Sequence, residues 1–244
     1  MEITKEMLIQ SGIDPALYSK SDITKIGDAA EKMKDVGISE TLAALDLNMP
    51  NEDELRANAT QAIQFFNGLF EQMKAHLDSL ASLCSVKTSI FSDELSEKEK
   101  KVILDGAGEL ISKINALGEE GLNTVGRMFR LYESLYKIRD AYNRLLYEVG
   151  LLNVAATVLE IESDEIFDVI ETAFDKFSSI TAFVNDLNDR AIICEEAIEL
   201  KLNPSLAELL DAIDYENDGE KLSTKKIIST ASAIKIMLAD VIER

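Results

Sequence analysis

A chain with one histidine, His76, and two cysteines, Cys84 and Cys194, has few routes to a reaction centre. A single imidazole excludes any one-chain site that needs two, such as a zinc motif with histidines four apart on a helix. A Ser-His-Asp or Cys-His arrangement would have to use His76. That residue falls in an apolar stripe with Met73 and Leu80, where a packed or edge-satisfied histidine is the simpler reading. Met73 also stands where a di-iron motif requires glutamate three positions earlier. Two cysteines alone build neither a disulfide framework nor a four-ligand zinc site, and both lie on apolar helical faces, as buried thiols do. They fit a reducing compartment.

Phosphate and metal chemistry fare no better. Gly106-Ala107-Gly108 lacks the third glycine of a phosphate loop and follows no strand, so close approach of a neighbouring helix explains it. Asp214-Tyr215-Glu216-Asn217-Asp218-Gly219 matches the start of a calcium loop, with acids at positions one, three and five and glycine at six. Position twelve, which should supply a bidentate glutamate, is Lys225, so a turn between helices is expected there instead. No catalytic residue, metal or cofactor is assigned, and the chain reads as non-enzymatic.

Charge says more. The net charge is −20, and residues 151–220 carry eighteen acids against three bases. Such a field repels nucleic-acid phosphate and anionic membrane surfaces and is compatible with a basic protein partner. Asp164, Asp168, Glu171 and Asp175 fall at i, i+4, i+7 and i+11, one stripe on the outer face of a helix, and Asp186, Asp189 and Glu196 extend the acidic character. Like charges at that spacing oppose helix formation by about 0.2–0.5 kcal/mol per pair. One compensation is internal: Arg127, Arg130, Lys137, Arg139 and Arg144 lie in residues 121–150, and antiparallel packing would set them against the acids. Tyrosines crowd the same basic stretch but fall in or beside an apolar seam, which favours packing over base stacking.

The elements that carry these residues are helices. Three prolines in 244 residues and few aromatics describe an all-α protein. Asn51 is a good N-cap, and Leu55, Ala59, Ala62, Phe66, Leu69, Met73, His76, Leu80 and Leu83 hold four-three spacing, widened by Ile63, Phe70, Leu77 and Cys84. Ser96 and Glu99 form a capping-box pair, after which a seam runs from Ile103 to Val149. Its phase survives Gly118, Gly121 and Gly126, so residues 97–149 are expected to be one helix of about 80 Å at 1.5 Å per residue, with two helices joined by a tight turn near Gly118 as the rival. A third seam opens at Ser163 and runs from Ile166 to Ile198. Asn203-Pro204 is expected to start a shorter helix to about Asp214, and residues 223–243 a closing amphipathic one.

Residues 1–50 read as short helices: Thr4 to Gln10 ending at Gly12, Asp22 to Val36 opening after Ser21 and ending at Gly37, then a turn capped by Ser39. The expected architecture is all-α, an elongated bundle of three long heptad-patterned helices with short helices at both ends. Residues 1–50 form a cap or subdomain, 51–202 the long-helix bundle, and 203–244 a C-terminal hairpin packing on it. Seven-residue periodicity favours shallow, left-handed crossings.

These features imply a protein-interaction or scaffold protein that uses an acidic face, with self-association as a further option. Long antiparallel helices joined by the apolar segment 150–159 are similar in shape to α-helical pore-forming toxins, which implies a hydrophobic hairpin stored against the bundle; that segment is too short to span a bilayer. An acidic inhibitor that mimics nucleic acid and binds a basic protein is a third class. The charged terminus Met1–Glu6 has no apolar leader core, so a cytoplasmic location is expected.

Overall fold

The computed structural model describes residues 1–45, 51–85, 96–162, 164–213 and 224–243, and every regular element among them is helical. In chain order these are α1 (Lys5–Gln10), a 3-10 turn (Pro15–Leu17), α2 (Lys20–Val36), α3 (Ile38–Ala43), α4 (Glu52–Ser85), α5 (Glu97–Val158), α6 (Asp164–Glu196), a π-helical turn (Ala197–Leu202), α7 (Asn203–Ile213) and α8 (Thr224–Glu243). The fold is all-α and bundle-like. Its residues form two compact units, Met1–Asp53 with Glu133–Asn185, and Glu54–Tyr132 with Asp186–Arg244.

In the first unit, α1 to α3 pack on the later part of α5 and the start of α6. Leu8, Ile26, Ala30 and Met33 meet Val149, Leu152, Ala155, Ile166 and Ala173 in one buried cluster. Local chemistry sets the short helices. Thr4 accepts a hydrogen bond from the Met7 amide at 3.3 Å. The start of α2 lies two residues before the expected Asp22, because Ser19 and Asp22 form a reciprocal capping box. The Asp22 amide donates to Ser19 Oγ at 3.2 Å and the Ser19 amide to Asp22 Oδ2 at 2.9 Å. That pair satisfies two orphan donors, where Ser21 would satisfy one. Gly37 ends α2 at φ +87°, a region open to glycine at little cost. Ser39, expected as a cap, lies inside α3 and donates from Oγ to Glu165 Oε2 at 2.6 Å. Tyr147 donates to Asp22, which holds the Asp22 carboxyl below its usual range and pushes the Tyr147 phenol up.

α5 is one helix, as expected, but it runs nine residues past Val149. The segment expected to be a junction is therefore helical, and Leu151, Leu152, Val154, Ala155 and Ala156 are buried in the first unit. The helix stops in a Schellman arrangement: the Glu160 amide donates to Thr157 O at 3.1 Å and the Ile161 amide to Ala156 O at 3.0 Å. Glu160 holds the left-handed position at φ +55°. α1 ends the same way, with Ile13 donating to Leu8 O at 2.9 Å and Gly12 at φ +76°.

In the second unit, α4 buries Ala59, Ala62, Phe66, Leu69, Phe70, Met73, Leu77, Leu80 and Cys84. His76 and Leu83, expected in the seam, are only half-buried. A straight helix lags a seven-residue repeat by about 20° per heptad. Three heptads on from Leu55, His76 has fallen behind and Leu77 stands nearer the centre line. Three glycines of α5, Gly106, Gly118 and Gly121, are contact sites. A Cβ on Gly106 would stand 2.8 Å from a Leu83 methyl, and one on Gly118 3.5 Å from a Leu202 methyl. The capping box at Ser96 and Glu99 forms as expected, with the Ser96 amide on Glu99 Oε2 at 3.0 Å and the Glu99 amide on Ser96 Oγ at 3.3 Å.

Asn203-Pro204 starts α7, as expected, with only the π-helical turn between it and α6. Asn203 keeps helical angles, φ −59° and ψ −46°, and helical residues run from Asp164 through Ile213 without a break. Proline has no amide hydrogen and its ring crowds the carbonyl four residues back. The wider π-helical turn just before it relieves both demands. α8 returns with Ile227, Ala231, Ile234, Leu238 and Val241 buried, as its periodicity predicts.

Candidate functional site

The two thiols are taken up by packing. Cys84 and Cys194 are buried free thiols. Desolvation raises both, and Cys194 is pushed up to about 12 despite the opposing charge of Arg190. A thiol held neutral is a poor nucleophile and a poor metal ligand. Among the described residues, no group of three or more His, Cys, Asp or Glu side chains is placed to hold a metal ion. The calcium-like segment Asp214–Gly219 lies outside the described residues, as does Ser163.

The acidic side chains are differently placed. α6 buries Ile166, Ala173, Ile180, Val184, Leu187, Ala191 and Cys194, while Asp164, Asp168, Glu171, Asp175, Asp186, Asp189 and Glu196 are all exposed. The first four belong to the first unit and the last three to the second. None of the seven has an ion pair or hydrogen bond among the described residues.

Among the described residues of the first unit, the expected internal neutralisation does not form. Arg144 pairs with Asp140 on its own helix at 2.7 Å, and the Arg139 guanidinium lies 3.8 Å over the Tyr136 ring. A pair four residues apart on one helix orders less chain than a pair between helices, so the local partner wins. In the second unit Arg190 reaches inward, donating to Asn67 Oδ1 at 2.9 Å and to Ile242 O at 3.4 Å near the end of α8. Lys235 binds both carboxylate oxygens of Asp78, at 2.6 and 2.8 Å.

One pair of residues escaped the sequence reading. Phe167 and Phe174 are 59% and 58% exposed, seven apart on α6 and interleaved with the acids. The signal was available: Asp164, Phe167, Glu171 and Phe174 repeat the three-four spacing of the buried seam, displaced by one residue from Ile166 and Ala173. The stronger apolar periodicity of the buried set masked it.

Among the described residues, no helix is long and apolar enough to cross a membrane. No protein family, curated protein or solved structure matches the chain.

Proposed function

We propose that this chain is a non-enzymatic, cytoplasmic helical protein that binds a basic protein partner through the acidic outer face of α6. The observation that carries the reading is a row of carboxylates, Asp164, Asp168, Glu171 and Asp175, that remain exposed and unpaired although bases are present in the same unit. Like charges one turn apart weaken the helix that carries them. A face that tolerates this cost, with Arg139 and Arg144 engaged elsewhere, favours recognition by an external cation-rich surface.

The test reverses all four charges to lysine. Because the residues are exposed and lack partners, the variant is expected to keep its helical circular dichroism and urea midpoint. Immobilised wild type and variant are then challenged with host extract at low and physiological salt. Loss of basic proteins from the variant's bound fraction supports the reading, and an unchanged bound fraction overturns it.

A further inference from the structure

We propose that the flank of α6 bearing Phe167 and Phe174 is a docking seam for a basic amphipathic helix of another protein, with the two phenylalanines as apolar anchors. The inference rests on the acidic-face reading and adds a geometry and a partner class to it. Around α6 the residues fall into three parallel lines. Ile166, Val169, Ile170 and Ala173 face the core of the first unit, with Ile166 and Ala173 buried. Beside them run Phe167 and Phe174, and beyond the phenylalanines, roughly 40–100° farther round at 3.6 residues per turn, stand Glu171, Asp164, Asp175 and Asp168.

The order from core to phenylalanine to carboxylate resembles the section through a helix-binding interface, with an apolar centre and a charged rim. Singly exposed apolar residues are ordinary. Here two large aromatics occupy successive heptads of one stripe, the spacing at which a second helix inserts its own side chains between them. Aromatic anchors of this kind carry much of the energy of helix docking. The carboxylates select what may lie there: a helix with apolar residues over Phe167 and Phe174 and lysine or arginine toward the acids. A second copy of this chain is disfavoured, because its net charge of −20 sets like charges together.

The experiment uses the full chain and a designed probe peptide of about three heptads, with leucine at a and d and lysine at e and g. A scrambled peptide of the same composition carries the same charge without an apolar stripe. The wild-type protein is expected to bind the ordered peptide at least about tenfold more tightly than the scrambled one, measured by fluorescence anisotropy. Phe167→Ser with Phe174→Ser should erase that preference, leaving weak salt-dependent binding of both peptides and an unchanged urea midpoint.

Equal binding of the two peptides by wild type, or full retention of the preference in the serine variant, would overturn the seam. A variant with Asp164→Asn, Asp168→Asn, Glu171→Gln and Asp175→Asn separates the two levels. If it loses peptide binding while the serine variant does not, the acidic face stands and the seam falls. If it binds both peptides like wild type, the acidic-face reading falls. Sedimentation equilibrium covers the remaining occupant: a dimer abolished by the serine changes would place a second copy in the seam and overturn the proposal.

Discussion

Gly121 on α5 and Ile198 in the π-helical turn after α6 touch so closely that a Cβ on Gly121 would stand 2.6 Å from Ile198 Cδ1, and 3.5 Å from Phe66 Cε2. The glycine in mid-helix is therefore a receptor for a side chain of the neighbouring element. Its helical cost, about 1 kcal/mol relative to alanine, is offset by the contact it permits.

Gly121→Ala should destabilise the protein by about 1–3 kcal/mol in urea unfolding, because overpacking outweighs the gain in helix propensity. Ile198→Val removes the Cδ1 atom that clashes, so the double variant should recover most of that loss and show a favourable coupling energy. Gly108→Ala, where nothing lies within 4 Å, should instead stabilise by up to about 1 kcal/mol. Equal effects at both glycines would refute the packing account.

Glu160 occupies a left-handed position that costs a side-chain-bearing residue about 1–2 kcal/mol. Glu160→Gly should raise stability by roughly 0.5–1 kcal/mol, since α1 closes the same motif with Gly12. A fall in the thermal midpoint would contradict the Schellman ending of α5.

Leu152 lies in the core of the first unit, so Leu152→Ala should cost about 2–5 kcal/mol. Equilibrium unfolding measures it. A change below 0.5 kcal/mol, roughly the level of a surface substitution, would show that the 150–159 segment is not packed.

Arg190→Leu leaves Asn67 Oδ1 and Ile242 O without their donor and should destabilise by about 1–3 kcal/mol. An effect near zero would mean that water replaces the guanidinium without loss.

Cys194 supplies a pH signature. Its folded-state value, about 12, lies above the unfolded thiol's value near 8.5. The unfolded chain therefore releases its proton first, so this contribution to stability is complete below about pH 8.5 and declines as pH rises toward 12. Urea midpoints of wild type should fall more steeply between pH 8 and pH 10 than those of Cys194→Ala, and parallel slopes would refute the burial. The same burial should keep both thiols unreactive toward a disulfide reagent until the protein unfolds.

Much of the helical layout was legible because it is local. The Ser96–Glu99 box, the Gly12 and Gly37 endings and the α8 seam each follow from residues within a few turns of one another. Where two local signals compete, the one with the reciprocal contact prevails. Ser21 stood beside Ser19, and the reciprocal bond with Asp22 decided between them. Asn203-Pro204 is a start as read, and what no local signal shows is the π-helical turn that joins it to α6. The seam of α4 was right at Phe66 and wrong at His76, because strict heptads and a straight helix part company over three repeats. At the candidate site Asp164, Asp168, Glu171 and Asp175 are exposed on α6 as their spacing predicts, whereas Phe167 and Phe174 are hidden in the sequence beside the longer apolar seam.

Periodicity, capping residues and composition, all short-range properties, determined that this chain is helical, where most helices begin, and that its carboxylates gather on one face. Only the tertiary structure decided what each helix meets: that Gly121 receives Ile198, that the 151–156 apolar run lies in a core, that Arg144 turns to Asp140 and leaves the α6 acids unpaired. Those choices depend on which side chains arrive from distant parts of the chain, and no spacing within a single helix encodes that.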